Sequence, residues 1–292
     1  ADTDIEFALA RRDPAGVLTN GINRVNLGKE SWLTSEIDAE VKPKTQWNPE
    51  KYLNIWVVKL SSTEVLGYAQ FPSASGLNGL DADEGDAVTD GVVIGYSYFG
   101  SSTYFPAGTY SNFYDKGRTT SHEIGHWLGL RHIWGDGDCT VDDFCLDTPN
   151  SGQSNEGCPT NVDSCPSSPG LDMVENYMDY TDDACMTIFT NDQKTRMLTV
   201  INTSTRRAVL TTSDSTMPGP GFVNDAAITI SNLNISACSK TFAPTIKIVN
   251  KGSAPLTKAT INYGIDSLTS RTYNWTGNLA NNEAQEITLN NL

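Results

Sequence analysis

Residues 122–132 read His-Glu-Ile-Gly-His-Trp-Leu-Gly-Leu-Arg-His, and they hold all three histidines of the 292-residue chain. On a helix His122 and His126 share one face, about 6 Å apart along the axis, so two imidazoles can grip one ion. A helix continued to His132 would carry that residue about 9 Å further and roughly 240° around the axis, out of reach of the same ion. Gly129 resolves the conflict, because glycine accepts the left-handed backbone that ends a helix and lets the chain turn back. The segment therefore predicts a helix, a glycine stop and a return, with three neutral imidazoles around a zinc ion and a fourth position left open. An open position is the catalytic form of a zinc site, where the pKa of bound water falls toward about 7 and a carbonyl can be polarised. Glu123 follows His122 directly and is the natural proton shuttle between such a water and a leaving amine. The plainer reading is a structural zinc site or a helix whose histidines merely pack. Structural sites, however, usually close with a fourth protein ligand, often Cys.

Some fifty residues further on, Asn176-Tyr177-Met178-Asp179-Tyr180 resembles the methionine turn that metzincins place beneath their zinc ligands. Met178 would be an apolar floor, and Tyr180 would point its hydroxyl toward the metal site to stabilise an oxyanion. Without the zinc motif, a Met between tyrosines reads as ordinary core. Together with His132-Ile-Trp-Gly-Asp-Gly-Asp-Cys, Asp147-Thr-Pro and the run on to Asp182-Asp183-Ala-Cys-Met, these segments resemble the pappalysin family of that clan over about residues 5–210. The resemblance implies a secreted zinc endopeptidase with calcium sites that cleaves before basic residues and takes proteins and peptides as substrates. It also implies an α+β fold: a twisted mixed sheet with an active-site helix, then an irregular, disulfide-stapled C-terminal subdomain. In this family a strand and a long helix usually precede the stretch matched by Ile5–Ala10, and neither reads in this sequence. A signal peptide and an inhibitory pro-segment are expected upstream and do not read here either.

Five of the six cysteines fall within the 47 positions from Cys139 to Cys185. Spacing alone cannot choose among their pairings, and a Cys-based metal site or buried thiols are the alternative. The resemblance implies Cys139 with Cys165 and Cys158 with Cys185, leaving Cys145 and Cys238 over. The same loop carries Asp136, Asp138, Asp142, Asp143 and Asp147. Crowded carboxylates repel unless a cation joins them, and calcium takes six to eight oxygens in flexible loops. By family position the calcium ligands would be Asp143, Thr148 and Asp147; the alternative is a solvated acidic loop. In the same way Asp182 and Asp183, with Asp183 preferred, fall on the S1′ wall, where a carboxylate could bind a guanidinium. Two exposed acids on a turn are the alternative there.

With 20 basic and 35 acidic residues the net charge is −15, which disfavours nucleic acid and anionic membrane and suits cationic substrates. No stretch approaches the length of a membrane-spanning helix. Short runs rich in Ile, Val, Trp and Tyr at 52–60, 67–71 and 91–98 predict strands beneath the motif helix. Pro72 follows the second, which suits an edge strand or its end, such as a strand that pairs with extended substrate. The motif helix is expected to start near Thr119–Ser121 and to bury Ile124, Trp127 and Leu128. A capping box at Thr190-x-x-Gln193 predicts a later helix running toward Leu210, with Met197, Leu198 and Ile201 inward. These readings divide the chain into a catalytic domain at 1–212, a linker at 213–225 holding Pro-Gly-Pro-Gly at 218–221, and a module at 226–292. That last stretch alternates Thr, Ile, Val and Tyr with Asn and Gly turns, and resembles a partial all-β, immunoglobulin-like sandwich shorter than the usual domain of about 100 residues. The competing functional class is a catalytically silent zinc- and calcium-dependent binding or adhesion protein, against which the intact Glu123 argues.

Overall fold

The computed structural model describes residues 1–73, 75–81, 85–217, 223–231, 243–264 and 271–290. Cys238 and the Pro-Gly-Pro-Gly run lie outside them. Two compact units emerge, one of Ala1–Ala8 with Asn23–Asp214, the other of Leu9–Ile22 with Ser215–Leu292.

The first unit is built around three short strands that lie within the expected runs. A helical stretch precedes them: α1 (Thr34–Glu36), a π turn (Ile37–Val41) and α2 (Lys42–Thr45). Sequence reading missed it, because it buries only Ile37 and Val41 among its large apolar residues and holds Pro43. The sheet follows, with β1 (Ile55–Val58), β2 (Gly67–Ala69) and β3 (Val92–Gly95) in the order β1-β3-β2. The central strand runs parallel to β1 and antiparallel to β2. Its Val92, Val93 and Ile94 are fully buried, as expected of a strand covered on both faces. Val92 and Ile94 pack with Trp127, Leu128, Leu130 and Met178 on one side, while Val93 packs with Trp32, Ile37, Val41 and Trp56 on the other. β2 is an edge strand, as Pro72 predicts.

The motif helix, α3, spans Arg118–Trp127 and lies against β2 and β3. Its N-cap, Gly117, offers no side chain. Asp183 fills that role from 65 residues away in sequence, accepting the Arg118 N–H at 3.2 Å and that of Lys116 at 2.7 Å. A cap supplied by tertiary contact explains why local sequence placed the start slightly late. The helix ends as its glycine dictates. Gly129 has φ 86°, its N–H donates to the His126 carbonyl and the Leu130 N–H to that of Gly125, the two bonds of a Schellman motif.

Beyond the irregular, disulfide-stapled stretch, α4 (Asn191–Thr203) carries both halves of the Thr190/Gln193 capping box, and α5 (Thr205–Leu210) follows after a break at Ser204. One continuous helix to Leu210 was expected; Ser204 adopts extended backbone instead. Met197 and Val200 are the buried apolar residues of α4, with Ile201 packed beside them and Leu198 half-buried. Bonds join Cys139 to Cys165 and Cys158 to Cys185, with Cα–Cα separations of 5.7 and 5.8 Å. Cys145 is a buried thiol.

The regular elements among the described residues of the second unit are strands. β4 (Ala226–Ile230), β5 (Thr245–Asn250) and β8 (Ala284–Thr288) form an antiparallel sheet, and β6 (Leu256–Tyr263) pairs with β7 (Arg271–Leu279). Ile246 and Ile248 alternate with exposed Lys247 and pack with Ile261, Trp275, Leu279 and Ile287.

α3 comes close to the methionine turn only because residue 125 is glycine: a Cβ there would lie 2.5 Å from Met178 Sδ. Gly125→Ala should therefore lower stability by about 1–3 kcal/mol through overpacking, seen as an earlier midpoint in urea unfolding. An unchanged midpoint would mean that Met178 gives way without cost.

Candidate metal centre and active site

The Schellman turn returns the chain so that all three imidazoles meet. Nε2 of His126 lies 3.1 Å from Nε2 of both His122 and His132, and the remaining pair is 3.3 Å apart. Each ring is oriented through its other nitrogen. Nδ1–H of His122 donates to the Tyr177 carbonyl at 2.7 Å, that of His126 to the Leu130 carbonyl at 2.8 Å, and that of His132 to Asp136 Oδ1. Carbonyls and carboxylates only accept, so the three Nε2 lone pairs point at one another. Tetrahedral zinc with Zn–N bonds of about 2.0–2.1 Å sets its ligands roughly 3.3 Å apart, and the donor set fits that ion. Burial and the neighbouring rings hold His122 far below its ordinary pKa, and burial foremost, then His132, takes His126 down to about 3. Both are neutral, as metal ligands must be. They form the single such cluster of His, Cys, Asp and Glu among the described residues.

The other expected site residues surround this point. Glu123 is buried at 6% exposure, and burial pushes its carboxyl up to about 8; a cation nearby would draw it back toward ionisation. Gly67 on β2 leaves it room, since a Cβ there would sit 2.9 Å from Glu123 Cγ. Tyr180 stays 45% exposed with its ring 4.9 Å from that of His132 and 5.6 Å from that of His122. Met178 is fully buried beneath. Its turn is held by Asn176, whose side chain exchanges two hydrogen bonds of 3.0 and 3.1 Å with Gln193, the residue that also caps α4. Asp179 accepts from Asn155 N at 2.9 Å, from Asn155 Nδ2 at 3.0 Å and from its neighbour Tyr180 N at 2.8 Å.

The acidic loop separates into distinct roles. Asp143 and Thr148 meet: Asp143 Oδ1 accepts from Thr148 Oγ1 at 2.8 Å and Cys145 N at 3.0 Å, while buried Oδ2 has no partner. Burial raises the Asp143 carboxyl to about 7. Asp147 instead accepts from Asn191 N at 2.9 Å and Asp192 N at 3.1 Å, at the start of α4. Asp182 lines a cavity of about 400 Å³ with Asp115, Tyr110 and Phe113. Asp183, buried, spends Oδ2 on the start of α3 and keeps Oδ1 without a partner.

Sequence reading missed the residues that orient the ligands. Asp136, taken there as one of the acidic loop, is the carboxylate partner of His132, and Arg131 holds its other oxygen at 3.2 Å. Trp134 stacks on the His132 ring at 4.3 Å. The His132-x-x-x-Asp136 spacing was a usable signal for the first; the backbone acceptors for His122 and His126 leave none.

A mixed sheet whose covering helix ends in a three-histidine turn, with a methionine beneath and a glutamate beside it, is the arrangement of the metzincin class. The comparisons agree. The model of the Peptidase_M43 family, described as pregnancy-associated plasma protein-A, matches residues 36–202, and the chain belongs to that pappalysin family. An extracellular metalloprotease of Neurospora crassa is 37% identical over 172 residues, covering 59% of this chain and 56% of that protein. One from Verticillium alfalfae is 34% identical over 197 residues, covering 68% and 61%. The solved structure of mature mirolysin from Tannerella forsythia in complex with a cleaved peptide is 43% identical, with a TM-score of 0.62 over 72% of this chain and 76% of that one. The chain spans little more than half the length of the first curated relative.

A partner that fixes the tautomer and orientation of a metal-ligating histidine typically contributes 10–100-fold in affinity. Asp136→Ala should accordingly weaken zinc binding by about that factor in a chelator-competition titration; unchanged affinity would make the His132–Asp136 contact incidental.

Proposed function

We propose that this chain is the catalytic part of a secreted zinc endopeptidase that cleaves proteins before basic residues. The observation that carries the reading is the convergence of three oriented imidazole nitrogens beside buried Glu123 and half-exposed Tyr180. Zinc held by His122, His126 and His132 would supply a Lewis acid that polarises a peptide carbonyl and acidifies a water. Glu123 takes the proton of the attacking water and passes it to the leaving amine. Tyr180 donates to the oxyanion as it develops, and its ring position over the histidines suits that role. The edge of β2 left free by β3 holds extended substrate by strand addition. Hydrolysis is direct, with no covalent intermediate on the protein.

The preference for Arg or Lys after the scissile bond rests on the acids just past the methionine turn. Asp182 and Asp115 face the cavity, so they meet the substrate cation, while Asp183 braces the wall from behind. A structural calcium ion is proposed at Asp143 and Thr148, on the strength of the orphaned Asp143 Oδ2 in a loop of oxygen donors. Asp147 acts there by capping α4. Residues 1–212 carry the chemistry, 213–225 link, and 226–292 form an immunoglobulin-like module, a reading favoured by the antiparallel strands β4 to β8. Secretion accords with the extracellular relatives and with disulfides, which persist in oxidising compartments. Among the described residues no helix is long and apolar enough to cross a membrane.

Glu123→Gln should keep its zinc and lose activity on denatured protein by about a hundred- to ten-thousand-fold. Retained turnover would remove Glu123 from the mechanism. Mass-spectrometric mapping of the new N-termini should find Arg and Lys dominant for the wild type and reduced for Asp182→Asn; termini of mixed character would refute the acidic pocket. Calcium chelation should lower the melting temperature of the wild type and leave that of Asp143→Asn unmoved, whereas equal shifts in both would place any calcium elsewhere.

A further inference from the structure

Arg196, on α4, is buried at 5% exposure, yet no carboxylate of the described residues lies within ion-pair distance. A buried guanidinium is normally paired with an anion, since desolvation of the charge costs several kcal/mol otherwise. Its acceptors here are backbone carbonyls. Nε donates to Gly129 O at 2.6 Å and Nη2 to Asn78 O at 2.7 Å.

The first acceptor is the informative one. Gly129 O and Leu130 N belong to a single peptide plane, which is rigid. Leu130 N is pinned to Gly125 O at 2.9 Å, and Arg196 pins the opposite edge. The next carbonyl along, Leu130 O, orients His126 through its Nδ1, and two residues later stands His132. Rotation of this plane would withdraw the acceptor from one ligand and displace another. The plane lies at a glycine, φ 86°, whose backbone is the least restricted of any residue and so gains most from an external tie.

We propose that Arg196 is a positioning residue of the metal centre, one whose bond to the Gly129 carbonyl fixes the turn that sets His126 and His132. The role rests on the zinc reading above. It accounts for a charge kept in the interior without an anion: a guanidinium offers two donors in a fixed fork, which a lysine cannot reproduce.

The test is zinc affinity, measured by chelator competition on the intact chain as wild type, Arg196→Met, Arg196→Lys and Arg206→Met, with thermal unfolding of each metal-free form. Arg206, on α5, is also buried but bonds Asp90 and Gly85 O rather than the turn. Arg196→Met should bind zinc about 10–100-fold more weakly, with a shifted absorption band in the cobalt-substituted protein. Arg196→Lys should fall between it and the wild type, since one amine can still reach Gly129 O. Arg206→Met should lower the melting temperature without changing zinc affinity. Wild-type affinity in Arg196→Met would overturn the proposal, as would an equal loss in Arg206→Met, which would reduce the effect to general loosening. Should Arg196→Met fail to fold, wild-type affinity and an unshifted cobalt band in Arg196→Lys would overturn it as well. A wild-type chain that binds no zinc would remove the metal centre itself and this role with it.

Discussion

A helix that carries two ligands four residues apart cannot deliver a third along its own axis, and the left-handed turn at Gly129 is the constraint on which this site depends. The turn satisfies the orphan carbonyls of α3 through the N–H groups of Gly129 and Leu130, brings His132 within 3.1 Å of His126, and presents the Leu130 carbonyl to orient His126. Helix termination and the orientation of His126 thus share one turn. The packing around the turn follows from it: glycine at 125 lets Met178 rise close beneath the helix, and Leu128 and Leu130, buried on either side of Gly129, lock into the core with Val92 and Ile94.

The elements that come later in the chain serve as the frame for this turn. α4 contributes in three directions: Gln193 caps its own helix and grips Asn176 of the methionine turn, Arg196 reaches the Gly129 carbonyl, and Met197 and Val200 enter the core. From α5, Arg207 donates to Trp127 O at the end of α3 at 3.1 Å and to Asp90 just before β3 at 2.7 Å. Its guanidinium also lies 3.8 Å from the centre of the Trp127 ring. Helix, sheet and methionine turn are tied together by guanidinium and amide side chains of α4 and α5.

Much of the centre was legible in the sequence because its chemistry is written in local spacing. His122, Glu123, His126, Gly129 and His132 lie in one run, the Thr190/Gln193 capping box is local by nature, and the three strand runs are dense in β-branched and aromatic residues. What stayed hidden is long-range. Asp183 was read as a substrate-binding acid, and the fold shows one of its oxygens closing the start of α3; Asp147, read as a calcium ligand, meets the start of α4. In each case a carboxylate bonds backbone N–H groups distant in sequence, a contact that local spacing does not encode. The helical stretch at 34–45 escaped because tertiary packing against Val93 and Trp56 stabilises it, not its own periodicity.

In the proposed centre three imidazoles and no other protein group hold one zinc ion. X-ray absorption at the zinc edge of the metal-loaded chain tests it most directly. About three imidazole nitrogens near 2.0–2.1 Å are expected, with the remaining coordination from light oxygen scatterers. A sulfur shell near 2.3 Å from a thiolate, or fewer than three imidazole nitrogens, would contradict it.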